Sequence, residues 1–508
     1  MRNILFLLSA MPFFAYAQSR LDTTFLLPGT DLTSIAAIVV DRDTIVCLGN
    51  AFTAEGNYAI HVSKYDTLGN LLSYKFVQEQ GKIIDAGETS GFIKTSDGGY
   101  AAVSGTDLGL NALLIKINHE LQVEWIKEIT RPDMLIISAK GLVETSDGYL
   151  VAGYGGNANQ AINSFICKLD NGGNIQWNKK YSAQPNWNSI INKVVKKNDN
   201  SFWLNGGRSM IGTGCDAQQT SQAGPWIVEI DSLGNVLYDW KAPLADNEGA
   251  GPFALDDDGQ IVYAAVKIKF QPTWGDTIQL KLRKINPSNG QTVWEYYQTP
   301  VALTCPNSRW SGLAKNPVDG GWDMAGSYQH KTTGYVTSGV AAHTRPDGEL
   351  LWFRLDTNYV SPNLTLNYNW LRCLGHLSSG SIVAGGFVRK AEPELHDEAW
   401  LIKYSVNGCV GPSDCAVVSA NSPNKQPSQP EVYPNPFSNK LNISFSNEGK
   451  IENTEFIVVN VLGEVVARKQ LNSIDSDMNL SALPKGVYFW QIVENNVLLG
   501  QGKLIKDK

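Results

Sequence analysis

Residues 141–156 read GLVETSDGYLVAGYGG and residues 164–181 read SFICKLDNGGNIQWNKKY. An apolar strand runs into the polar turn Ser146-Asp147-Gly148, and a second strand closes on Gly153. After a variable loop, a third strand ends in Lys168-Leu169-Asp170. A glycine turn then leads to a fourth strand carrying Trp177. Apolar runs of this length, punctuated by Asp, Asn and Gly, are strand and turn signals. The unit recurs along the chain. The copy before it reads GFIKTSDGGYAAVSG (91–105) and ALLIKINHELQVEWIKEI (112–129). Later copies include SFWLNGG (201–207) with PWIVEIDSLGNVLYDW (225–240), and GGWDMAGSY (320–328) with GVAAHTRPDGELLWFRL (339–355). The glycine closing the second strand falls at Gly49, Gly105, Gly153, Gly206, Gly326 and Gly385, with Ala264 in the fifth copy. Those seven positions are 48 to 62 residues apart.

Four strands per unit at this period make a propeller blade. The middle strands are apolar on both faces, so each sheet has to be sandwiched between neighbours. Seven copies supply three strands each, but the seventh runs into Gly408-Cys409 before a fourth. The orphan segment Leu21–Leu27, LDTTFLL, precedes the first copy and is expected to complete the last blade, which removes an open edge. The expected fold is all-β: a seven-bladed β-propeller followed by a small Ig-like β-sandwich.

The chain has 508 residues and a formal net charge of -7, with 18% charged and 43% hydrophobic residues. That is a globular composition, not a disordered one. Mild acidity argues against nucleic acid, which needs a basic face. Residues 1–17 read as a signal peptide: one charge at Arg2, an apolar run Ile4–Phe14, and Ala15-Tyr16-Ala17 before Gln18. The run is too short to span a bilayer, which takes about 20 residues. The expected division is then 18–410 propeller, 411–430 Ser/Pro-rich linker and 431–508 a compact C-terminal domain. Of seven cysteines, Cys409 and Cys415 are expected to pair. Cys215 and Cys305 are a weaker pair, and Cys167 reads as a small buried hydrophobe. The partners of Cys47 and Cys373 stay open.

The blade units resemble those of quinoprotein-type and delta-60-type propellers, on Lys168-Leu169-Asp170 through Trp177 and Lys284-Ile285-Asn286 through Trp294. The resemblance implies packing roles for Trp, Asp and Gly, and no cofactor. The SDGGY turn is similar to the Asp-box of sialidases but lacks its Thr-Trp, so no activity is carried over. The C-terminal residues Tyr433-Pro434-Asn435-Pro436, Leu462-Gly463, Leu483 to Tyr488 and Gly502-Lys503-Leu504-Ile505-Lys506 resemble a type IX secretion C-terminal sorting domain, type A. That resemblance implies export from a Bacteroidota-type Gram-negative bacterium to the cell surface or medium, with the secretion translocon as partner. Gly486, Tyr488, Lys503 and Lys506 belong to its motif blocks. The terminal lysines Lys503, Lys506 and Lys508 are expected to form a basic tail that a receptor could read.

Motifs for nucleophilic, phosphate or metalloprotease chemistry are lacking, and the six histidines do not cluster in sequence. His61 and His343 read as structural, His343 standing where other copies have Lys. Asp256-Asp257-Asp258 reads as a solvated turn rather than a Ca²⁺ loop, and Glu392, Glu394, His396, Asp397 and Glu398 as loop charges rather than a metal site. The binding candidates are aromatic and basic. Trp187, Trp310 and Trp370 each stand just before an innermost strand, in PNWNSI, NSRWSG and NYNWLR, with Arg309 and Arg372 beside two of them. Second-to-third-strand loops add Trp274, Tyr328 and His330. Together they are expected to ring the channel mouth, suited to stacking on sugars or grasping a peptide. The competing reading has each Trp filling space between blades. The expected function is binding or adhesion to a polysaccharide, peptide or surface partner. An extracellular polysaccharide hydrolase or lyase, and a surface protein scaffold, are the alternatives.

Overall fold

The computed structural model describes residues 21–79, 82–87, 91–106, 110–157, 161–210, 223–243, 248–269, 277–297, 302–303, 308–329, 335–360, 366–391, 395–411, 431–444, 454–460, 465–473, 475–494 and 497–507. The chain forms two compact units, Met1–Ala420 and Asn421–Lys508. Among the described residues there is no α-helix.

In the first unit seven sheets follow one another, each built on four antiparallel strands. The third is representative: Ile136–Thr145, Gly148–Gly156, Asn163–Asp170 and Ile175–Tyr181, in that spatial order. The innermost strands of the seven sheets are Ala37–Asp41, Phe92–Lys94, Ile136–Thr145, Trp187–Asn198, Glu248–Leu255, Arg309–Lys315 and Asn369–His376. Each packs against the next, and the seventh packs back against the first. The sheets are thus the blades of a β-propeller, with apolar cores between neighbouring blades.

The seventh blade takes its outer strand from the other end of the chain. Asp22–Phe25 pairs antiparallel with His396–Tyr404, Asp22 facing Ile402. The Lys403 amide donates to the Leu21 carbonyl at 2.8 Å, and the Trp400 indole N–H to the Asp22 carboxylate at 2.9 Å. This is the strand that the blade count was short of.

The outer edges of the blades are held by a repeated side-chain device. In the third blade's last turn, Asp170 accepts from the Asn174 amide at 2.8 Å and from its side-chain NH₂ at 3.0 Å. Asp66 with Asn70 and Asp231 with Asn235 repeat both bonds. Within these turns Gly173 and Gly234 both have φ near +76°, which favours glycine. The same glycines seat the tryptophan of the preceding blade. A Cβ on Gly173 would lie 2.9 Å from the Trp125 ring, and one on Gly234 2.8 Å from Trp177. Trp240 meets Gly290 and Trp294 meets Gly348 in the same way. At the closing junction Leu21 replaces the tryptophan, meeting Gly69 of the first blade.

The inner edges share a backbone device. The innermost strand is bulged between Ala139 and Gly141, Ile191 and Lys193, Ala250 and Phe253, Trp310 and Gly312, and Leu371 and Cys373. A bulge adds a residue that cannot join the ladder and bends the strand. It also drives the preceding carbonyl toward the second strand. A Cβ would stand 2.1 Å from the Ser138 oxygen at Gly153, 1.6 Å from that of Ile190 at Gly206 and 2.0 Å from that of Arg309 at Gly326. The periodic glycine is therefore the footprint of the bulge. In the seventh blade this position is Gly386, facing Leu371 with the Trp370 oxygen 1.7 Å from a Cβ, and not Gly385. In the fifth it is Ala265, facing Ala250, and not Ala264. The register slips by one because each strand carries small residues side by side.

The second unit holds two sheets. One orders Glu431–Tyr433, Lys440–Ser444 and Asp475–Asn479; the other Val465–Leu471, Thr454–Asn460, Gly486–Glu494 and Val497–Lys506. Phe437, Leu441, Phe456, Trp490 and Leu504 are in the core between them. The Asn435 side chain accepts from the Ile505 amide at 2.9 Å, and Tyr488 donates its hydroxyl to the Pro484 carbonyl at 2.8 Å. Lys506 is not a free tail residue: it is 4% exposed, and its ammonium donates to the carbonyls of Ser438 at 2.6 Å and Leu480 at 2.7 Å. Burying an alkyl stem while carbonyls take the charge satisfies both ends of a lysine. Tyr433, Pro434, Asn435 and Pro436 lead into this same knot. Leu462, Gly463 and Lys508 lie outside the described residues, as do the signal segment 1–17 and most of the expected linker.

Candidate functional site

A cavity of about 480 Å³ is walled by all seven innermost strands. The bulges decide what faces it. Lys140, Asn192, Gly251, Ser311 and Arg372 are the bulge residues of the third to seventh blades, and all line it. Lys193 and Arg309, beside two of those bulges, line it too, as do Tyr154 and Trp310. Its described lining therefore contains four cations, Lys140, Lys193, Arg309 and Arg372, and no carboxylate. Lys193 is half-buried, and burial pushes its pKa down to about 8, so it is largely charged at neutral pH. Among the described residues its ammonium has no partner.

The two arginines are held in place by aromatic stacking. The guanidinium of Arg309 lies 5.2 Å from the centre of the Trp370 ring, and that of Arg372 lies 5.8 Å from the same ring and 4.5 Å from Phe387. Such contacts contribute about 0.5–2 kcal/mol each and fix a guanidinium plane. Trp370 is thus a support for two cations.

The other expected site residues separate. Trp310 borders the cavity but is 2% exposed and packed in the core between the fifth and sixth blades. Tyr328 is in that same core. Trp187 does not line the cavity; it stacks under Arg208 at 5.6 Å. Trp274 and His330 lie outside the described residues. Among the described residues the structure thus joins Arg309, Arg372, Trp310 and Trp370 at one place, and forms no exposed ring of tryptophans. Sequence reading missed Lys140, Asn192, Lys193 and Ser311. The available signal was the periodic glycine, which marks a bulge in the strand before it.

Titratable groups elsewhere serve the blades. Lys116 meets Asp97 at 2.8 Å and Lys284 meets Asp258 at 2.7 Å, each tying the third strand to the first turn of its blade. In the sixth blade His343 takes the lysine's place and meets Asp319 at 2.9 Å. Its other nitrogen meets the fully buried Asp323 at 2.7 Å, which His376 of the seventh blade also contacts at 2.7 Å. Burial alone would lower the pKa of His343, but the bond and charge of Asp323 outweigh it and the pKa is raised. Burial would raise that of Asp323, but the two histidines hold it down. His61 is fully buried, bonded to the Ser34 carbonyl at 2.9 Å, and burial lowers its pKa to about 4, so it stays neutral. Asp256 and Asp257 are met by Lys315, both at 2.6 Å. Asp397 pairs with Arg389 at 2.7 Å and Glu398 with Lys390 at 2.8 Å; Glu392 and Glu394 lie outside the described residues. Among the described residues no three His, Cys, Asp or Glu side chains could together hold a metal ion, and no helix is long and apolar enough to cross a membrane. Cys409 is disulfide-bonded, while its expected partner Cys415 lies outside the described residues; Cys47, Cys167 and Cys373 are free thiols.

Comparison with known proteins adds the following. No curated protein matches the chain. A solved puromycin hydrolase mutant complexed with PGG is similar at 9% identity and TM-score 0.45, covering 83% of this chain and 61% of that one. This chain thus spans under two thirds of that protein. A mutant of the Synechocystis ACO is similar at 10% identity and TM-score 0.43, covering 80% of this chain and 94% of its own. At such values these neighbours carry no information on chemistry. Residues 431–507 match the family described as secretion system C-terminal sorting domain, and the C-terminal unit is a sorting domain of the type IX secretion class.

Proposed function

We propose that the propeller is an exported binding module that takes its ligand in the central channel, while the C-terminal unit directs it to the cell surface or medium. The sorting domain supports the destination. The observation that carries the binding reading is the cavity to which every blade contributes, with two arginines pre-positioned on Trp370. A cavity of this size accepts a small saccharide or a peptide side chain. A glycosidase of the usual kind needs two carboxylates flanking the bond. The described lining offers none, so the hydrolase reading is the weaker one. The test is a glycan and surface-extract binding screen of the full chain beside Arg309→Ala. Binding lost in the variant, with folding unchanged, supports the channel as the site. Binding that survives it places the ligand elsewhere and refutes this reading.

A further inference from the structure

From the channel's charge we infer that its ligand carries an oxyanion, and that Lys193 and Arg372 hold that group; this rests on the channel being the binding site. The chain as a whole is acidic, at -7, yet the described wall of this one cavity holds four cations and no acid. A concave, low-dielectric site lined by one sign of charge concentrates the opposite sign. The cations come from four different blades: Lys140 from the third, Lys193 from the fourth, Arg309 from the sixth and Arg372 from the seventh. No local strand chemistry demands this convergence, because the bulge position also accommodates Gly251 and Ser311. Lys193 carries the argument furthest. Elsewhere in the propeller half-buried or buried lysines have partners: Lys116, Lys168 and Lys284 meet acids, and Lys403 donates to the Thr67 carbonyl at 3.0 Å. Lys193 does not among the described residues, and its pKa falls through desolvation alone. Across the ladder from it stands Asn205, fully buried with neither amide atom bonded among the described residues. The buried indole N–H of Trp310, a residue that borders the cavity as Asn205 does not, is likewise unbonded among them. An unpartnered ammonium on a wall of converging cations matches a carboxylate or sulfate group on a ligand of one or two sugar rings.

The experiment is calorimetric titration of the full chain with digalacturonate, with its neutral dimethyl ester, and with sodium sulfate. Expected is acidic disaccharide binding at least about tenfold tighter than the ester, a gap of roughly 1.4 kcal/mol. Affinity should fall about tenfold again in Lys193→Met and in Arg372→Gln, recover in Arg372→Lys, and weaken as salt rises from about 0.05 to 0.3 M. An unchanged melting point in each variant separates lost binding from lost folding. Sulfate displacing the disaccharide would identify a free oxyanion as the ligand, and no displacement an acidic sugar; either supports the inference. Equal binding of the ester, wild-type affinity in both variants, or no acidic ligand binding at millimolar concentration overturns it. The channel reading falls separately, if Arg309→Ala leaves binding in the surface screen unchanged.

Discussion

The outer and inner edges of the blades repeat different things. The outer edge repeats side chains: the Asp-Asn turn recurs at Asp66, Asp170 and Asp231, and a tryptophan sits on a turn glycine at Gly173, Gly234, Gly290 and Gly348. The inner edge repeats a backbone. The bulges of the third, fourth, sixth and seventh blades leave the same crowded carbonyl, and the fifth faces Ala265 instead, while the residue presented changes from Lys140 to Asn192, Gly251, Ser311 and Arg372. A fixed side-chain device is what stability needs, since a stacked indole can only be replaced at a loss. A fixed backbone bearing variable side chains is what recognition needs, since each position can change chemistry without disturbing the ladder. On the proposed reading of the channel, the molecule separates the two tasks by radius.

Four substitutions would break or sharpen this contrast. The largest effect is expected at Gly206→Val, where the first added carbon would meet the Ile190 carbonyl at 1.6 Å. Denaturant titration of the full chain should show a loss of about 3 kcal/mol or more; a neutral result would mean that the bulge is not rigid. Next, Trp177→Ala should cost about 2–3 kcal/mol by emptying the seat at Gly234, with ligand affinity unchanged. Third comes His343→Lys. The folded pKa of His343 is raised, so its stabilisation is fully present below the unfolded value near 6.5 and is lost as pH rises through the folded value. The lysine variant should flatten that decline by about 1 kcal/mol, read from melting points across pH 5 to 9. An identical profile would show that another group titrates there. Smallest is Lys140→Ser, expected within about 0.5 kcal/mol of wild type in stability although it lines the channel. A large loss there would erase the division between edges.

Much of the propeller was legible because repetition exposes backbone constraint. Glycines recur wherever a side chain is sterically impossible, and Trp177 and Asp170 recur because one contact recurs. The missing fourth strand was legible by counting. The site was less so. Whether Lys140 or Trp310 faces the channel depends on a one-residue bulge, and a one-residue shift reverses every facing. That is why Trp310, expected at the mouth, is packed between blades, and why Lys193 escaped notice. The off-by-one placements at Gly385 and Ala264 have the same origin. Lys506 failed differently: a lysine near a terminus reads as solvated unless the carbonyls of Ser438 and Leu480 are known to be waiting for it.

The strand Asp22–Phe25 also sets a timetable. The indole of Trp400 and the carboxylate of Asp22 that it joins are 378 residues apart in the chain. At roughly 5–20 residues per second of synthesis, the first strand made waits about 20–75 seconds for its partner. During that interval the growing arc has two raw sheet edges and no seal. A seal drawn from both ends of the propeller thus forms only once the last blade exists.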